Sequence, residues 1–212
     1  MKKDDHMWNQ LITKIRKVTL PMLINIALLT DIAVHNLTRR ISLEIDQKFD
    51  MGLDSCRFPP HITLKQAFSF NGDINKLATV FDAFCHISAP IIVRYSGIEA
   101  VTSPQNRTTI WLNVVRDRKL ENMQELLLQL LADQCDISAG LLDGKNWRFH
   151  TTLAQGEIDL KDIYAIKELA SRHVNQLNSP ISHAIMLITP PHKEESLEHS
   201  VSYRIKKLTG PI

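Results

Sequence analysis

Pro59-Pro60-His61-Ile62-Thr63-Leu64-Lys65-Gln66 has a counterpart eighty-nine residues later in His150-Thr151-Thr152-Leu153-Ala154-Gln155, so that H-x-T-L-x-Q occurs twice in the chain. With nine histidines, thirteen threonines and twenty-six leucines in 212 residues, only about 0.07 chance matches to H-x-T-L are expected. Side chains alternate along a strand, which places His61 and Thr63 on one face and Ile62 and Leu64 on the other. The second copy divides in the same way, with His150 and Thr152 opposite Thr151 and Leu153. Each copy reads as a short strand with an imidazole and a hydroxyl on one face and a core-seeking pair on the other. Strand parity adds Lys65 to the first polar face and Arg148 to the second, so each strand is expected to present one cation to a shared cleft.

Around these motifs the apolar pattern alternates between strand and helix. A strand is expected over Met22–Leu29, then a helix capped by Asp31 that runs to Phe49 with an apolar stripe of Ile32, Leu37, Ile41, Ile45 and Phe49. Pro59-Pro60 leads into the first motif strand, His61–Phe68. Asn71-Gly72-Asp73 forms a turn and a cap for a helix through Cys85. Two β-rich runs, Pro90–Val101 and Thr108–Val115, are joined by a hairpin loop, and Asp117–Cys135 is a helix. The second motif strand spans Arg148–Ala154. A helix over Leu160–His173 and strands over Ile181–Ile188 and Ser200–Leu208 complete the pattern, the last two separated by a polar loop at Pro190-Pro191. Strand-helix-strand therefore occurs twice, each time ending on an H-x-T-L strand, which points to an internal duplication in an α+β fold.

Composition narrows the function. A formal charge of +2 gives no electrostatic case for gripping duplex nucleic acid, which calls for a strongly basic face. Cys56, Cys85 and Cys135 are odd in number and lack C-x-x-C spacing, as expected of reduced thiols in the cytoplasm. The apolar run Val18–Leu29 is broken by Pro21 and Asn25 and is shorter than the ~20 residues of a spanning helix, so it reads as a buried strand. Residues 5–17 carry Trp8, Leu11, Ile12 and Ile15 at helical spacing and form an N-terminal extension, 1–17, ahead of a single bilobal domain, 18–212. No H-E-x-x-H or carboxylate spacing beside the histidines suggests a metal, and no cofactor is expected.

Two imidazoles that titrate near pH 6.5 can act as acid and base around neutrality. A phosphodiester between them is the substrate such a pair suits, with Thr63 and Thr152 donating to its nonbridging oxygens. His61, Thr63, His150 and Thr152 are the candidate catalytic residues, and Lys65 and Arg148 the candidate substrate-binding ones. Trp111 and Trp147 can stack on a base, but their positions in a strand and a pre-strand loop read as core or rim.

Paired H-x-T-hydrophobic motifs half a small chain apart resemble the 2H phosphoesterase superfamily, which includes 2′-5′ RNA ligase-like and cyclic phosphodiesterase proteins. Pro59-Pro60-His61-Ile62-Thr63-Leu64 is similar to that family's first motif, and the likeness runs from about residue 20 to 208 through the strand Ile110-Trp111-Leu112-Asn113-Val114. The resemblance implies a bilobal, pseudo-twofold fold of two antiparallel-rich sheets with flanking helices around a central cleft. It also implies metal-independent action on 2′,3′-cyclic or 2′-5′ phosphates of RNA ends, cyclic nucleotides or short oligonucleotides; nothing in the sequence calls for more than a monomer, and the short apolar run calls for no membrane. Thr151 departs from the family, which more often has an aliphatic residue there, and Ala154-Gln155 stands where many relatives place a basic residue. The alternatives are a module that binds nucleotides or RNA ends without turnover, and a 2′-5′ RNA ligase that runs the same chemistry in reverse.

Overall fold

The computed structural model describes residues 21–174, 177–189 and 201–211. The proposed helix over residues 5–17 and the loop at Pro190-Pro191 lie outside them. The described residues form strands β1 (Met22–Leu29), β2 (His61–Phe70), β3 (Ile91–Thr102), β4 (Arg107–Val114), β5 (His150–Glu157), β6 (Asn178–Ile181), β7 (His183–Thr189) and β8 (Ser202–Lys207). The helices are α1 (Ile32–Phe49), α2 (Ile74–Ile87), α3 (Arg118–Cys135) and α4 (Ile163–Ser171). Two four-stranded antiparallel sheets result, one ordered β2-β1-β7-β8 and the other β5-β4-β3-β6. β1-α1-β2 and β4-α3-β5 are the duplicated units, and each motif strand is the edge of its sheet.

Helix starts follow the expected chemistry. The carboxylates of Asp31 and Asp117 accept from the backbone N–H groups of Val34 and Leu120 at 3.0 and 2.9 Å, while Asp73 accepts from Asn75, satisfying donors that the first helical turn leaves unpaired. In α1 the buried positions are Val34, Thr38, Ile41, Ser42 and Ile45. Ile32, expected in the stripe, is 73% exposed, because two residues ahead of the buried Val34 it falls about 200° around the helix from the covered face. Along α3, Leu120, Met123, Leu127 and Leu131 are buried as expected.

The expected strand over Ile181–Ile188 is two strands. β6 ends at Ile181 and pairs with β3 in the second sheet, and after Ser182 the chain enters the first sheet as β7 against β1. β6 is the polar Asn178-Ser179-Pro180 followed by Ile181 and β7 is an apolar run, so hydropathy joins Ile181 to the run after it, and the change of sheet partner at Ser182 leaves no signal of its own.

The two halves interlock through their helices. α1 packs on β5 and α3 packs on β2, so each unit's helix covers the other unit's motif strand. This places β2 and β5 beside one another, in contact but with no ladder between them. Among the described residues no helix is long and apolar enough to cross a membrane.

Candidate active site

Both motif strands carry a bulge at the same motif position. On β2, Thr63 pairs with Ala27 and Lys65 with Ile26, which leaves Leu64 as the extra residue; on β5, Thr152 pairs with Trp111 and Ala154 with Ile110, which leaves Leu153. A bulged residue loses its ladder partner and needs another. The opposite lobe supplies it in each case. Gln124 Nε2, on α3, donates to the Leu64 carbonyl at 2.8 Å, and Ser42 Oγ, on α1, donates to the Leu153 carbonyl at 2.6 Å. Ser55 Oγ also reaches the Leu153 carbonyl, at 3.0 Å. On β2 the exposed edge is completed by Trp147 Nε1, which donates to the Thr63 carbonyl at 2.8 Å, and by Asp143, which accepts from the Gln66 N–H at 3.1 Å.

The histidines ahead of these bulges are held alike. His61 Nδ1 meets the Pro59 carbonyl at 2.7 Å, and His150 Nδ1 meets the Arg148 carbonyl at 2.7 Å. A carbonyl only accepts, so Nδ1 carries the proton in both rings and Nε2 is left to take or give one. Burial holds both imidazoles below the usual histidine pKa, and the backbone carbonyls oppose that shift. A positive charge on His150 depresses His61 further, which marks the two rings as electrostatic neighbours. The stacked ring of Trp111, 4.3 Å from His150 at 23°, fixes the second imidazole, and Trp147 lies 5.9 Å from it at 34°.

A cavity of about 380 Å³ opens on this face, lined by His61, Thr63, Thr152 and Gln155 and, around them, by Arg39, Arg57 and Arg107. His150 lies outside that lining. Asn25 Nδ2 donates weakly to Thr63 Oγ1 at 3.4 Å, so the Thr63 hydroxyl proton points elsewhere, and the buried Oδ1 of Asn25 has no partner. The cavity lining thus holds one imidazole, two threonine hydroxyls, three arginines and Asp54, with the second imidazole close enough to be felt by the first.

The two cations expected from strand parity are placed otherwise. Lys65 is 2% exposed, and its Nζ lies 2.6 Å from Asp143 Oδ2 in a buried ion pair. The bulge at Leu64 reverses the alternation, so Lys65 shares the core side with Ile26 instead of the cleft side with Thr63. Arg148 keeps its guanidinium in solvent, 70% exposed, against Glu99 at 3.2 Å, and contributes its carbonyl to His150. Arg39, Arg57 and Arg107 went unnoticed in the sequence. Arg107 had a local signal, since it alternates with Thr109 and Trp111 along β4; Arg39 and Arg57 had none. Thr151, the departure from the aliphatic pattern, is fully buried, with its hydroxyl 3.2 Å from Tyr95 Oη. Among the described residues no three of His, Cys, Asp and Glu gather as metal ligands would.

A sequence profile of the 2′-5′ RNA ligase superfamily matches residues 38–189. The chain belongs to that superfamily. Both of its H-x-T-L copies fall inside the matched span. No curated protein sequence matches the chain, so the remaining likenesses are structural. TT0787 of Thermus thermophilus aligns with a TM-score of 0.58 at 14% identity, over 89% of this chain and 98% of that one. E. coli LigT, solved with 3′-AMP, aligns with a TM-score of 0.53 at 12% identity, over 90% and 99%. At such identities the likeness establishes the superfamily's fold, two antiparallel sheets facing across a cleft.

Proposed function

We propose that the protein is a metal-independent phosphodiesterase that opens 2′,3′-cyclic or 2′-5′ phosphodiester bonds at RNA ends, in nucleotides or in short oligonucleotides. The observation that carries this reading is the matched pair of histidines, each with Nδ1–H committed to a backbone carbonyl 2.7 Å away and Nε2 left for proton transfer. In hydrolysis one neutral imidazole takes a proton from the attacking water as its oxygen bonds to phosphorus. The other, charged, gives a proton to the ribose oxygen as its bond to phosphorus breaks, so one water is consumed and the total charge on the pair is unchanged. Thr63 and Thr152 donate to the nonbridging oxygens, where negative charge grows in the transition state.

The wall of Arg39, Arg57 and Arg107 suits an anionic substrate, and a cavity of about 380 Å³ is of the size that holds a nucleotide. The complex of LigT with 3′-AMP adds support for a nucleotide in this cleft. The deciding experiment is hydrolysis of the four nucleoside 2′,3′-cyclic phosphates and a 2′-5′ dinucleotide in excess EDTA, with His61→Ala and His150→Ala alongside. Turnover that survives chelation and vanishes in both variants is expected. Full activity in either variant sinks the two-histidine mechanism, and micromolar nucleotide binding without product at any pH replaces the enzyme by a binding module.

A further inference from the structure

The duplication makes the two histidines comparable position by position, and at one position they differ sharply. In the first unit Thr63 pairs with Ala27 and His61 with Leu29; in the second Thr152 pairs with Trp111 and His150 with Asn113. At the ladder position that Trp111 occupies opposite the second motif threonine, the first unit has Ala27. The Trp111 ring lies nearly parallel to the His150 ring, 4.3 Å away, and is held there by its Nε1, which donates to Asn113 Oδ1 at 2.7 Å. Trp147, tilted against the same imidazole, is anchored through its own Nε1 to the Thr63 carbonyl. That bond ties the second histidine's surroundings directly to the first motif. Phe58 precedes His61 by three, as Trp147 precedes His150, but it packs on the Ala27, Ile185 and Leu187 cluster. Among the described residues no ring stacks on His61.

An aromatic face attracts a cation beyond the stacking it gives a neutral ring. We propose that Trp111 and Trp147 form a seat that positions His150 and favours its charged form, making His150 the general acid of hydrolysis and His61 the general base. The assignment rests on the phosphodiesterase reading; the seat itself does not. In each turnover His61 takes the proton of the attacking water and His150 gives its proton to the departing ribose oxygen, after which exchange with solvent restores both. In the ligase direction the roles invert. The other titratable groups about His150 are His61 across the cleft, Arg148 with its partner Glu99 at the strand's start, Lys145 in the turn before Trp147, and Arg116, which donates to the Gly144 and Lys145 carbonyls of that turn and pairs with Glu121. Lys145 and Arg116 are cations common to every variant below, and the Arg148–Glu99 pair carries no net charge.

The test is an NMR titration of the two imidazole Cε1–H signals in the full chain, wild type against Trp111→Leu and Trp111→Phe, with the pH profile of turnover recorded in parallel. Leu keeps apolar bulk and loses the π face, whereas Phe keeps one. The His150 midpoint is expected to fall by about half to one pH unit in the Leu variant and by much less in the Phe variant, with His61 nearly unmoved. Trp147→Leu gives a second reading of the same seat should Trp111→Leu fail to fold. A His150 midpoint that does not move in a folded Leu variant, or one that lies below that of His61 in the wild type, overturns the proposal. If the midpoints shift but no substrate is turned over, the seat stands and the enzymatic reading fails. If turnover is found and the midpoints stay fixed, the enzymatic reading stands and the seat fails.

Discussion

Gln124 reaches from α3 to the carbonyl oxygen of the bulged Leu64, 2.8 Å away in the core, and so fastens one lobe to the motif strand of the other. Removing the amide while keeping the bulk, as Gln124→Met does, leaves that buried carbonyl unpaired and is expected to cost about 1–3 kcal/mol. The equivalent change on the other side, Ser42→Ala, costs less, because Ser55 also donates to Leu153. Urea denaturation midpoints at constant slope check both.

Lys65 and Arg148 separate a buried ion pair from an exposed one. Lys65→Met abandons the Asp143 carboxylate in the interior with only the N–H groups of Gly140 and Gln66, and a loss of about 3–5 kcal/mol is expected. Arg148→Ala removes a solvated pair and shifts stability by less than about 1 kcal/mol, with turnover near wild type because the backbone carbonyl that holds His150 remains. Denaturation curves and initial rates on the two variants separate these outcomes.

In the proposed mechanism the motif threonines donate to the transition state. Thr63→Val and Thr152→Val preserve shape and β-branching and delete one donor each, so kcat is expected to fall about 10²-fold with KM little changed. Steady-state kinetics on a cyclic phosphate reads the split.

Acid pH should destabilise the fold through its histidines. His61, His150 and His35 are all held below the ordinary value of 6.5, mainly by burial. Below pH 6.5 the unfolded chain therefore binds protons that the folded chain refuses, and stability falls as pH drops from 6.5 to the folded pKa values; above 6.5 these groups contribute nothing. Double replacement by Gln at 61 and 150 is expected to flatten that fall in a pH series of thermal melts. For the same reason kcat/KM should peak on the acid side of 6.5. kcat should peak at higher pH, since a bound phosphate favours the charged imidazoles.

Thiol labelling offers an independent check on packing. Cys85 is buried, with its pKa pushed up to about 12 chiefly by burial. A disulfide reagent at neutral pH should leave it unmodified in the folded protein and react with it on unfolding, as mass spectrometry of the labelled peptides would show.

Much of the architecture was legible because its signals are local. β1 at Met22–Leu29, the caps at Asp31 and Asp73, and the hairpin before Arg107 each follow from a few neighbouring residues. The misplaced Lys65 and the strand divided at Ser182 depend on partners far along the chain. Parity fails at Leu64 because the residues that sustain the bulge, Gln124 and Asp143, lie sixty and seventy-seven positions beyond Leu64 and Gln66.

By itself the sequence determined that two equivalent strands carry equivalent chemistry, because repetition and period-two alternation are properties of the chain alone. Only the tertiary structure decided which cations reach the cleft and what distinguishes one histidine from the other. Those outcomes depend on which side of a bulge a residue falls and on whether Ala27 or Trp111 lies opposite the motif threonine, both fixed by hydrogen bonding between strands distant in sequence.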